Sequence, residues 1–200
     1  MASSLMARTG VTLEQFLQMP DIEAAPGLEY LDGRIEAKAM PNPDHVLIAK
    51  RFVRRLDEFS ETDGLGVTFF ELRHTFDGRS ILPDVSFQLA ENVVVESDGR
   101  LARENRSAPD IHIEVISPDQ AVQKIHAKLL HSTANGCALG VMVHPEKKTI
   151  DVYRPGRSPE RLTDDGAIDF APVLPGLVVA VAEVFSWMVV RLRRPGADPA

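Results

Sequence analysis

Two carboxylates in this 200-residue sequence stand where their spacing gives them shared chemistry. Asp84 follows Pro83 at the mouth of an alternating run in which Val85, Phe87 and Leu89 share one face, so Asp84, Ser86 and Gln88 take the other. Glu114 lies within Asp110-Ile-His-Ile-Glu-Val-Ile-Ser117, where Ile111, Ile113 and Val115 point one way and His112, Glu114 and Ile116 the other. If these strands are neighbours with their polar faces together, two unit charges at ~4 Å and an effective dielectric of ~20 repel by ~4 kcal/mol. That is a large part of a domain's stability. A shared proton, a lysine or a hard cation such as Mg²⁺ must neutralise them. A purely structural pair, satisfied by lysine or by backbone donors, is the alternative reading.

Other polar residues join the list of candidates with a plainer reading beside each. His45 starts a helix and His112 shares the face of Glu114; both can approach a cation there, or simply bond to nearby groups. Lys50, Arg51, Arg54 and Arg55 form a basic strip that either tracks DNA phosphates or pairs with Asp57 and Glu58 on a solvated face. Glu29 either supports the turn at Asp32-Gly33 or joins the acidic site.

The elements that position these groups follow from periodicity and punctuation. Thr12 caps a helix over 12–19, ended by Pro20. Asp32-Gly33, between two short runs from Leu28 to Lys38, marks a hairpin with Glu29 on its first strand. Asn42-Pro43 opens an amphipathic helix over 43–59. Short strands fill Val67 to Leu89, with a turn at Asp77-Gly78, and a polar connection spans 96–109. After the strand carrying Glu114, Ser117-Pro118 caps a helix from Pro118 to about Ala134 with Val122, Ile125 and Leu129 as its core stripe. Strands over 138–143 and 149–154 and a final apolar helix complete the pattern. Strand, crossover helix and strand together predict an α/β (α+β) fold, a central mixed sheet with helices across it.

Composition narrows the class. At 44% hydrophobic and 26% charged, the chain suits one domain over 12–190, with an extended N-terminus over 1–11 and a basic, disordered tail over 191–200. One cysteine, Cys137, allows no intrachain disulfide and no thiol cluster for zinc, which suits a reducing, cytoplasmic setting. The N-terminus lacks the apolar stretch of a secretory signal, and Leu177 to Val190 is too short and too interrupted for a bilayer span. A formal charge of −7 counts against nonspecific nucleic-acid binding, though it allows an acidic site beside a local basic strip.

Five pieces in order carry a family resemblance: Glu29-Tyr-Leu-Asp-Gly33, Pro41 to His45, Pro83-Asp84-Val-Ser-Phe87, Glu114-Val-Ile-Ser-Pro118 and Lys128. Together with Leu174-Pro-Gly-Leu177 they resemble the Uma-two type of restriction endonuclease, a branch of the PD-(D/E)XK nuclease superfamily, from about Thr12 to Phe185. The resemblance implies a restriction-endonuclease-like core with an N-terminal helix and hairpin. It also implies Mg²⁺, or Mn²⁺, held by Asp84 and Glu114 with help from the Val115 carbonyl. The superfamily's usual lysine position, two residues after the glutamate, is Ile116 here, and the branch takes its lysine from the following helix, at Lys128. Glu29 matches the acidic residue that completes the site. Hydrolysis of DNA is the implied reaction, and cutting both strands implies a homodimer.

A helix from Pro118 must fold back over the strand for this arrangement, since Lys128 lies ~16 Å along its axis from Ser117 and Glu114 lies ~10 Å back along the strand. Lys124, one turn earlier, reaches equally well, so resemblance and not geometry selects Lys128. The chain departs from the family at Gly140, Val141 and His144, where an aromatic pair and an aspartate are usual, and at Ser132 in place of a tyrosine. Such changes bear on local packing and substrate fit. A noncatalytic binding or assembly module built on the same fold is the competing reading.

Overall fold

The computed structural model describes residues 10–118, 120–190 and 192. Apart from residues 10, 11 and 192, the N-terminal segment 1–11 and the basic tail 191–200 lie outside the described residues. Thr12 caps helix α1 (Leu13–Leu17) reciprocally: its hydroxyl accepts from the Gln15 N–H, and the Gln15 side-chain oxygen accepts from the Thr12 N–H. The helix is shorter than the expected 12–19. Strands β1 (Leu28–Leu31) and β2 (Arg34–Ala37) form the hairpin, with Leu31 opposite Arg34. Asp32 and Gly33 between them adopt φ of +50° and +78°, the left-handed pair that a tight two-residue turn needs.

Asn42 caps α2 (Pro43–Ser60) by accepting from the His45 N–H. Four strands follow, β3 (Gly66–Phe70), β4 (His74–Phe76), β5 (Arg79–Ile81) and β6 (Val85–Leu89). The connection over 96–109 holds no strand; Asn105 and Ser107 tie its far end to Gln88. Then come β7 (Ile111–Val115), α3 (Val122–Ala134), β8 (Leu139–His144) and β9 (Thr149–Tyr153). Three short strands and a helix close the described chain: β10 (Glu160–Leu162), β11 (Ala167–Asp169), β12 (Val178–Ala180) and α4 (Val181–Ser186).

The central sheet runs β10-β9-β8-β7-β6-β3 and is mixed, with β7 and β8 parallel and α3 as their crossover. A second, antiparallel sheet runs β2-β1-β5-β4, and β11 pairs with β12. Val85, Phe87, Ile111, Ile113, Val141 and Val143 line the apolar face of the central sheet. They pack on Ile48, Phe52 and Leu56 of α2 and on the C-terminal segment around Val179 and Phe185. The opposite face is polar and meets α3 and the second sheet. Among the described residues, no helix is long and apolar enough to cross a membrane.

Two expectations are corrected. Helix α3 starts at Val122, not Pro118: the Ser117 hydroxyl that would cap the earlier start meets His45 instead. The apolar run 177–190 is no single helix. Its first part pairs as β12, six residues form α4, and Val189 and Val190 are exposed.

Candidate active site

Strands β6 and β7 are adjacent and antiparallel, with Val85 opposite Ile113. Continuing that register by one residue brings Asp84 opposite Glu114, with both side chains on the polar face. Asp84 sits just before β6, and its Oδ2 accepts the Val115 N–H at 2.7 Å. Glu114 Oε1 lies 2.7 Å from Lys128 Nζ and 2.9 Å from His112 Nε2. The same ammonium donates to Glu29 Oε1 at 2.8 Å, and that oxygen also accepts the Leu82 N–H at 2.8 Å. Glu29, Asp84, Glu114 and Lys128 are 5%, 1%, 2% and 2% exposed, so their charges must be compensated by neighbouring groups and not by water. Strand β1, the segment before β6, strand β7 and helix α3 each supply one of the four.

The two candidate lysines separate cleanly. Ile125, Lys128, Leu129 and Ser132 form the buried stripe of α3 at helical spacing, which turns Lys128 inward. Lys124 lies on the outer side, 58% exposed at its side chain and paired with Glu36 at 2.6 Å. Glu29, besides standing on the hairpin, belongs to the same cluster as Lys128. Both histidines reach the carboxylates: His45 Nε2 is 3.3 Å from Asp84 Oδ1, and His112 bridges Glu114 to the Ser132 hydroxyl.

Lys38 was not singled out by the sequence reading, yet its Nζ lies 2.7 Å from Asp84 Oδ1 and donates to the Leu82 carbonyl at 2.8 Å. The available signal was hairpin register. Glu29 pairs with Glu36, so alternation puts Lys38, two residues on, on the face of Glu29. Burial alone would push the carboxyls of Asp84 and Glu114 up. Lys38 and His45 overcome it at Asp84, and Lys128 and His112 overcome it at Glu114, so both are held below their ordinary range. Conversely, burial would lower the ammonium of Lys128, and Glu114 and Glu29 hold it above its ordinary value.

Among the described residues, no three His, Cys, Asp or Glu side chains form a group that could hold a metal ion by themselves. The donor chemistry nevertheless fits Mg²⁺, which commonly takes only one or two protein carboxylates and fills its shell from water and substrate. Asp84 Oδ1 supplies a specific sign: it is buried and accepts no well-directed hydrogen bond, since Lys38 Nζ and His45 Nε2 approach it at 2.7 and 3.3 Å outside hydrogen-bonding geometry.

Two residues of the basic strip and the departures from the family pattern have partners in the fold. Arg54 pairs with Glu58 along α2, and Arg55 pairs with Glu183. At Gly140 an added Cβ would come 3.0 Å from Tyr153 Cβ and 3.1 Å from Leu129 Cδ2, so the absent side chain lets α3 sit close on β8. His144 binds Asp151 at 3.0 Å, and Arg161 holds the same carboxylate.

The sequence pattern of the Uma2 family, described as "Putative restriction endonuclease", matches residues 13–182. Among solved structures, "a putative nuclease belonging to DUF820 from Anabaena variabilis ATCC 29413" is 31% identical. It superposes with a TM-score of 0.86 over 90% of this chain and 100% of that one. No curated protein matches. The match over 13–182, together with the full-length structural likeness, establishes that the chain belongs to the Uma2 family.

Proposed function

We propose that this protein is a Mg²⁺- or Mn²⁺-dependent endonuclease that hydrolyses DNA phosphodiester bonds. The observation that carries the proposal is the convergence of Glu29, Asp84, Glu114 and Lys128 from four separate elements into one buried cluster. Burying four ionisable groups is costly, and hydrophobic residues of similar volume often stabilise a fold as well or better. Asp84, Glu114 and the Val115 carbonyl would hold the cation. When bound, it stabilises negative charge developing at the scissile phosphate.

The chain's own residues supply the rest. The Val115 N–H orients Asp84, leaving Oδ1 free of directed bonds. His112, braced by Ser132, orients Glu114. Lys128 carries a fixed positive charge for the phosphate oxygens, and Glu29 acts as a positioning residue that aims the ammonium. A cavity of about 350 Å³ reaches Lys128, with Arg34, Arg79 and Lys124 on its wall beside Asp32 and Glu36, and would give a phosphate group a path to the ammonium.

A specific observation favours a second reading, a nuclease-fold module without turnover: the four site residues are almost completely shielded from water. Incubating supercoiled plasmid with the protein and Mg²⁺ or Mn²⁺ separates the two readings. The endonuclease reading predicts cleavage that falls at least ~100-fold in Asp84→Ala and Glu114→Ala, the scale of losing a main electrostatic group. A homodimer acting on both strands predicts linear product in step with nicked circles. Equal cleavage by the variants would reject this site, and nicking alone would reject the paired assembly.

A further inference from the structure

Lys38 has no part in the reaction outlined above, and its surroundings are those of a hard cation. Its Nζ meets three oxygens: the Leu82 carbonyl at 2.8 Å, Asp84 Oδ1 at 2.7 Å and Glu71 Oε1 at 3.4 Å. The contacts differ in kind. The directed hydrogen bond goes to Leu82, while Asp84 Oδ1 receives charge without a directed bond. Glu71 is 43% exposed at its side chain and lies at the rim, in a left-handed backbone conformation with φ of +52°. A lysine ammonium on its flexible stem can shift between two acceptors this close together.

We propose that Lys38 is a built-in counter-cation that holds the cation side of Asp84 in the metal-free protein and yields it, moving toward Glu71, when a divalent ion binds. The inference rests on the reading of Asp84 as a metal ligand. Two cations cannot share Asp84 Oδ1 at contact distance without strong repulsion, so ammonium and metal compete for it. Glu71 gives the displaced ammonium a carboxylate to face, so its charge is not stranded. Lys38 therefore keeps the buried carboxylate compensated when no metal is bound and sets the metal concentration at which the site loads.

Thermal melting of the wild type, Lys38→Met and Asp84→Asn, each in EDTA and across a Mn²⁺ series, tests this. Lys38→Met should melt below the wild type in EDTA, because Asp84 then loses the ammonium at contact distance. It should gain more from Mn²⁺, with a half-saturating concentration lower by about tenfold or more, the scale expected when a competing unit charge leaves contact distance. Asp84→Asn should not respond. Equal Mn²⁺ responses in the wild type and Lys38→Met would overturn the role of Lys38 while leaving the metal site standing. No response in either would overturn the metal site, and this inference with it. Should Lys38→Met fail to fold in EDTA, Glu71→Gln provides the same test at a half-exposed position. It should weaken Mn²⁺ binding by removing the receiving carboxylate, and unchanged affinity would contradict the proposal.

Discussion

Lys128 is the residue on which the cluster's electrostatics turn. Its ammonium touches Glu29 and Glu114 at once, and all three are buried. Replacing it with methionine keeps much of the volume but strands two carboxylates away from water, so Lys128→Met should cost about 3 to 5 kcal/mol, the usual penalty for breaking a buried pair. Urea unfolding measures that cost, and a loss below about 1 kcal/mol would show that the carboxylates find other compensation. Asp84 and Glu114 were legible in the sequence because strand alternation fixes which side chains share a face, and a buried face makes register strict. The choice of Lys128 over Lys124 was not. It depends on which side of α3 packs inward, and a helix starting at Val122 instead of Pro118 changes the path to the site without changing the stripe. Lys38 lay beyond the end of its strand, where its partners come from a distant segment.

At the scale of elements, β4 carries a second buried group with a measurable consequence. His74 donates its Nδ1–H to the Ser107 carbonyl, its neutral ring's Nε2 accepts from the Ser86 hydroxyl, and burial pushes its imidazole down to about 4 from an ordinary 6.5. The unfolded chain takes up a proton below the ordinary value while the folded chain does not. Stability tied to His74 is therefore complete above pH ~6.5 and is lost progressively as pH falls toward about 4, by an amount on the order of 3 kcal/mol. In His74→Gln the fall in unfolding free energy between pH 6.5 and 4 should shrink by about that amount. An unchanged slope would mean that the imidazole charges without disturbing β4. Longer elements were readable because caps and periodicity agreed, as at Asn42-Pro43 and Asp32-Gly33. The three-residue strands β10, β11 and β12 were not, since β11 and β12 bury one residue each and β10 none, too few to show alternation.

For the whole molecule, the central sheet divides labour between its faces. One face, with α2 and the C-terminal segment, holds the apolar core; the other, with α3 and the second sheet, holds a layer of compensated charge. That division was predictable from the alternation of β6 and β7, whereas the sheet that closes over the polar face was not, because its pairing joins β1 to β5 across about fifty residues. The closed layer explains how a chain of net charge −7 can shelter an acidic site: Asp84, Glu114 and Glu29 each face a lysine. The central claim is that Asp84 and Glu114 together bind one divalent ion. Calorimetric titration of Mn²⁺ into the purified protein tests it most directly. One saturable site per chain is expected, abolished in both Asp84→Asn and Glu114→Gln. Undiminished binding in those variants, or no saturable heat in the wild type, would contradict it.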